Sequence, residues 1–190
     1  MRSWFASSVL CLVLLAPAEA TARGAGDGLA CLRASNLTCA QEIRDELLRS
    51  APTDPDTLLL AAKTAFHEGD YESALDSWMA LSEGVRAGDR HTPYAATAAA
   101  AAGLMEARAD GVFLRHDSGL DTILADEALE TLIQARQTYD ALFGGGPDHD
   151  IVLDIFPTAS RFTAASGLPP EAVQTTGVIA LSKWNRLLLT

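Results

Sequence analysis

Positive charge is scarce in this sequence: 14 lysines and arginines stand against 25 aspartates and glutamates, giving a net charge of −11 over 190 residues. A chain this acidic repels phosphate backbones, and no basic stripe offsets the repulsion, so no nucleic-acid partner is expected. The acidity itself is explained by solubility. Long apolar runs are equally rare. The one from Trp4 to Leu15 is shorter than the ~20 residues that span a bilayer, and no later segment qualifies, so no membrane span is expected once the N-terminal segment is removed.

Motifs that carry chemistry are missing as well. The four histidines are His67, His91, His116 and His149, and none has another histidine four residues away. His67-Glu68-Gly69-Asp70-Tyr71 begins like H-E-x-x-H, but Tyr71 stands at the second ligand position and Gly69-Asp70 breaks the helix that would carry both ligands. His116-Asp117 and His149-Asp150 read as loop pairs, and His91 as a solvent-exposed residue before a helix. Ser166-Gly167 lacks the G-x-S-x-G elbow. Gly144-Gly145-Gly146 follows a helix and has no Gly-Lys-Ser/Thr, so it reads as a helix end and not a phosphate cradle. No calcium loop has the required spacing. No catalytic and no metal-ligating residue is assigned in this chain, and no cofactor.

What is present begins with an export signal. Met1-Arg2-Ser3 supplies one positive charge, the apolar stretch follows, Pro17 breaks it, and Ala18-Glu19-Ala20 is the small-x-small pattern cut by a signal peptidase. Residues 1–20 thus read as a signal peptide cleaved after Ala20, with Ala22 as a second choice, and the product as periplasmic or extracellular. Residues 21–37 read as a flexible leader. Of the three cysteines, Cys11 lies inside the signal. Cys31 and Cys39 remain in an oxidising compartment, where a disulfide is allowed. Eight residues along a straight helix would separate them by ~12 Å, so a bridge requires a turn, for which Ser35-Asn36 has the chemistry. The alternative is two small buried thiols. Thr38-Cys39-Ala40-Gln41 reads as a capping box opening a helix.

The middle of the chain reads as helices. Asp54-Pro55 is a cap with proline in the first turn, and that helix runs to about His67. Tyr71 to Ser82 is the next, with Ala74, Leu75, Trp78 and Leu81 on one side. Thr92-Pro93 opens a third, alanine-rich helix expected to continue through Leu104, Met105, Val112 and Leu114. Asp121 to Phe143 is a fourth, with Leu124, Ala128, Leu132, Ala135, Tyr139 and Phe143 as its apolar stripe. Beyond Pro147 the pattern changes: Ile151 to Phe156, Val178 to Leu181 and Arg186 to Leu189 read as strands, with a short helix from Thr158 to Ala165. The expected fold class is mainly α with a small C-terminal α+β portion.

Leu58, Ala62, Phe66, Gly69-Asp70-Tyr71, Ala74, Trp78 and Leu81 together resemble one tetratricopeptide repeat (TPR). The resemblance implies close helix packing at Ala62 and Ala74, a turn at Gly69, and Tyr71 and Trp78 filling the groove between the helices. It also implies a protein or peptide partner for such a hairpin. One copy does not make a solenoid, which needs about three repeats, and the proline expected near the repeat's end is replaced by Arg86. Residues 38–118 are assigned to this TPR-like region.

The last third, residues 119–190, resembles the start of a peptidase MA-like (gluzincin) zinc metallopeptidase domain. Four segments carry the likeness in order: Tyr139-Asp140-Ala141-Leu142-Phe143-Gly144; Ile151 to Pro157; Phe162 through Gly167-Leu168-Pro169; and Thr176-Gly177-Val178-Ile179-Ala180 leading to Trp184-Asn185-Arg186. The resemblance implies that a helix bearing H-E-x-x-H follows these strands, with a downstream glutamate as third zinc ligand and a metal-bound water as nucleophile. None of those residues maps onto this chain. The expectation is therefore an incomplete metallopeptidase-like sheet, inactive and zinc-free by itself.

Overall fold

The computed structural model describes residues 23–89, 92–119 and 121–190. The signal-peptide reading, its cleavage at Ala20, and His91 lie outside the described residues. The described chain is mainly helical and carries one mixed five-stranded sheet.

Helix α1 (Ala25–Arg33) occupies most of the stretch read as a flexible leader. Its helical order comes from packing: Leu32 is buried with Leu37, Ala40, Ile43 and Leu60. The chain then turns through Ser35, whose φ is +56°, into α2 (Leu37–Ser50). That helix opens two residues before the expected position, because the Asn36 side chain accepts from the Cys39 amide at 3.0 Å. The turn brings the Cys31 and Cys39 Cα atoms to 5.8 Å, and the two residues are joined as a disulfide.

Helices α3 (Pro55–Glu68) and α4 (Tyr71–Met79) form an antiparallel hairpin. Asp54 caps α3 through the Thr57 amide, with Pro55 in the first turn. Gly69 ends it in the left-handed region at φ +81°, where a side chain is strained, and a Cβ would also stand 3.1 Å from the Arg115 guanidinium. Asp70 then caps α4 through the Ser73 amide. Ala62 and Ala74 are buried where the helices touch. Two short helices follow, α5 (Glu83–Gly88) and α6 (Tyr94–Ala101).

The alanine-rich helix is shorter than expected. Gly103 takes φ +75°, and Met105, Val112 and Leu114 are not helical. They belong to strands β1 (Met105–Ala109) and β2 (Val112–His116), joined by Asp110-Gly111 at φ +45° and +76°. Two consecutive positive φ values define the tight hairpin turn whose twist matches paired strands, and Asp-Gly is the residue pair that tolerates it. The hairpin therefore ends the helical region at Ala101 and starts the sheet.

The rest of the chain builds on that hairpin with α7 (Asp121–Phe143), β3 (Ile151–Ile155), α8 (Ala159–Ser166), α9 (Pro170–Thr176), β4 (Ala180–Lys183) and β5 (Arg186–Leu189). The strand order is β1-β2-β3-β5-β4, with β2, β3 and β5 parallel and the two outer strands antiparallel to their neighbours. Leu114, Leu153 and Leu187 share one face, packed beneath Ala125 and Leu129 of α7. The other face packs on the helices: Leu188 meets Phe162 and Ala165 of α8 and Ala100 of α6. The expected apolar stripe of α7 is corrected by this packing. The helix buries Ala125 and half-buries Ala128, Leu129 and Leu132, while Leu124, Tyr139 and Phe143 are 57%, 59% and 78% exposed.

Candidate functional site

The seam between the helical hairpin and the sheet holds a buried charged cluster and, beside it, an open cleft. Alternation along the strands puts Arg115 of β2, Asp154 of β3 and Arg186 of β5 on the helical face, Arg115 and Asp154 being direct cross-strand partners. Asp154 is fully buried. It accepts from Arg115 Nη1 at 3.0 Å and from the Tyr71 hydroxyl. Arg115 also donates to the Gly69 carbonyl and, through Nε, to Glu106 at 3.2 Å. Arg186 Nη1 donates to the Phe66 carbonyl at 2.9 Å.

The two guanidiniums thus meet the C-terminal end of α3, where the last carbonyls and the helix dipole favour positive charge. That explains why two buried cations accompany only one buried carboxylate. Aromatic faces complete the enclosure: the Arg186 guanidinium lies 4.2 Å from the Phe66 ring centroid and 4.7 Å from that of Tyr71. Arg186 Nε and Nη2 have no hydrogen-bond acceptor among the described residues, although the Tyr71 hydroxyl contributes favourably to its charge.

These surroundings set the titration of the cluster. Burial works most strongly against the Arg115 charge, but Asp154, Tyr71 and Glu106 together outweigh it and hold the guanidinium above its ordinary range. Burial pulls Arg186 below its ordinary range, only partly offset by Tyr71 and Asp154. The Tyr71 hydroxyl is pushed up, first by burial and then by the Asp154 charge, so it is a proton donor at neutral pH. His67, at the end of α3, is pushed down to about 4 by burial and by the charges of Arg186 and Lys63.

The cleft, with a volume of about 730 Å³, opens where the α3–α4 turn faces β1 and β2. Its floor is Glu106, Arg108, Phe113, Arg115 and Val152; Gly69 to Glu72 form one wall, the end of α6 another, and Asp148 to Asp150 close one end. The Arg108 guanidinium stacks 3.6 Å from the Phe113 ring centroid and pairs with Asp150 at 3.1 Å. Glu68 is held by Arg44 and Gln41 of α2, each at 2.7 Å. Arg136 of α7 donates to the carbonyls of Gly111, Pro147 and His149, fixing the 147–149 loop against the β1–β2 turn.

The residues singled out from sequence are distributed unevenly over this site. Gly69 and Tyr71 border the cleft and enter the cluster. Tyr71 does more than fill the hairpin groove, since its hydroxyl crosses to the sheet. Ala62 and Ala74 lie in the hairpin core, and Trp78, half-buried, stacks on Tyr94 at 5.5 Å. Cys31 and Cys39 are away from the site, clipping α1 to α2. His116 is not a loop residue: it ends β2, is buried, and its Nδ1 lies 2.7 Å from the Asp117 carbonyl. His149 stands at the cleft end beside Asp148. Arg115, Asp154 and Arg186 were not found from sequence. A charged residue inside an otherwise apolar strand, as in Ile-Val-Leu-Asp-Ile and Val-Phe-Leu-Arg-His, was the available signal.

Among the described residues, no three His, Cys, Asp or Glu side chains converge to hold a metal ion. The described residues therefore do not fit the zinc site that the metallopeptidase resemblance implies, and no reaction step through zinc is assigned to them. No described helix is long and apolar enough to cross a membrane. The chain matches no protein-family model, no curated protein and no solved structure.

Proposed function

We propose that this chain is the non-catalytic part of an exported zinc peptidase: a TPR-like hairpin joined to the first part of a peptidase MA-like domain, with the zinc ligands supplied by residues outside these 190. The reading is supported by one observation above others. The four segments that carry the resemblance fold as consecutive parts of one unit, namely the end of α7, β3, α8 with its following turn, and the β4–β5 hairpin with its lead-in. The expected reaction of the complete protein is peptide-bond hydrolysis, with the motif glutamate as general base to a zinc-bound water.

The test is the genomic sequence beyond the codon for Thr190. An H-E-x-x-H within ~50 codons is expected there, and its absence in every frame would end the proposal. The extended product should bind one zinc and cleave casein, while the 190-residue chain binds none; stoichiometric zinc on the short chain would also count against it.

The cleft favours a second reading, in which the chain is a periplasmic or extracellular module that binds a protein or peptide. The Tyr71 hydroxyl and the Trp78 ring are already used internally, so the contact surface is the cleft beside the Gly69 turn and not the hairpin groove. Chemical crosslinking of the mature chain in its native compartment tests it: a partner crosslinked at Glu72 or Asp148 supports the reading, and no crosslink within the cleft opposes it.

A further inference from the structure

We propose that the cleft receives an extended, basic peptide segment whose backbone pairs with the outer edge of β1. This rests on the second reading above and names the partner's chemistry. Strand β1 ends the sheet, so one side of its backbone has no strand partner among the described residues. An unpaired edge is a template for another extended chain. Five residues at ~3.3 Å each give a pairing length of about 17 Å. Glu106 and Arg108 project from β1 onto the face that floors the cleft, so alternate side chains of an added strand would enter the same space. The volume, about 730 Å³, lies within the ~300–1,000 Å³ of ordinary ligand sites.

Charge selects the occupant. Six carboxylates line the cleft, Glu68, Asp70, Glu72, Glu106, Asp148 and Asp150, against the guanidiniums of Arg108 and Arg115. Both guanidiniums are committed, Arg108 to Asp150 and the Phe113 ring, Arg115 to Asp154, Glu106 and the Gly69 carbonyl. Glu72 makes no hydrogen bond or ion pair among the described residues, and the Asp148 side chain is 61% exposed. The positive end of α4 does not invert this field, because Asp70 caps it and Glu72 sits in its first turn. An incoming chain therefore meets net negative charge, and lysine or arginine at alternate positions answers it.

The mature chain can be titrated with three labelled decapeptides: alternating Lys-Thr, alternating Glu-Thr, and alternating Lys-Thr with every backbone nitrogen methylated. Lys-Thr should bind saturably and weaken with added salt, and Glu-Thr should bind at least about tenfold more weakly. The N-methylated peptide keeps the charge but has no backbone N–H to donate to β1, so it should lose a comparable factor. Bound Lys-Thr should slow amide exchange at residues 105–109, and E72Q/D148N should weaken it about tenfold at an unchanged melting temperature. Equal binding of Lys-Thr and Glu-Thr, equal binding of the N-methylated peptide, protection at residues 180–183 instead, or no binding of any peptide would each overturn the proposal. A crosslinked partner in the cleft without basic extended sequence would keep the second reading and remove only this one.

Discussion

Leu153 and Asp154 are consecutive residues of β3, and they enter opposite kinds of interface. Leu153 points to α7, into a contact of aliphatic side chains in which Leu114 and Ala125 are buried and the rest of the helix is partly open. Asp154 points to the helical hairpin, into a contact fixed by Arg115, Tyr71 and the end of α3. The aliphatic contact is non-directional, so it tolerates a helix that covers β1 and β2 and leaves Leu142 and Phe143 exposed. The charged contact is directional: each buried polar group requires its partner at bonding distance, and a small displacement strands a charge. The first face holds the helix on; the second sets the position of the hairpin, and with it the shape of the cleft.

The largest effect should come from Asp154→Ala, which leaves two guanidiniums buried without their carboxylate. A loss of about 3–5 kcal/mol is expected in urea unfolding. Leu153→Ala, one residue away, should cost about 2–4 kcal/mol by leaving a cavity; a larger loss there than at Asp154 would reverse the ranking of the two faces.

The charged face should also respond to pH. His67 titrates near 4 in the folded chain against an ordinary 6.5, so the unfolded chain takes up the proton first. Stability is fully present above about pH 6.5 and falls as pH drops towards 4, by up to about 3 kcal/mol from this group. Melting curves at pH 7 and pH 4.5 should show a smaller acid loss in His67→Gln than in the parent chain, and identical losses would show that His67 is not held neutral. The smallest effect belongs to the open side of α7. Leu142 is 69% exposed, and Leu142→Ser should shift stability by no more than about 0.5 kcal/mol. A larger loss would mean that this side of the helix is covered in solution.

The same contrast explains which parts of the structure were legible in advance. Asp54-Pro55 and Gly69-Asp70 acted through local bonds, and the ends they mark lie where their chemistry places them. Asp110-Gly111 was equally local, yet a run of small residues masked it. Alanine suits any buried helix and says nothing of where the helix stops, so Gly103 and the hairpin turn decided it. The stripe of α7 was misplaced because its residues sort by what covers them, and the sheet offers cover along only part of the helix. The cleft was not legible at all. Gly69, Glu106 and Asp148 are far apart in the chain, and nothing local announces that they border one space.

Local chemistry alone determined the capped helix starts, the glycine turns, the strand character beyond Pro147 and the acidic balance, since each depends on neighbours in sequence or on composition. Only the tertiary structure decided that Arg115, Asp154 and Arg186 form one cluster, that Cys31 and Cys39 meet across a turn, and that β1 lies at an open edge. The physical reason is that a buried charge is stable only against partners contributed by other elements. Where those partners sit is set by how the sheet and the hairpin pack.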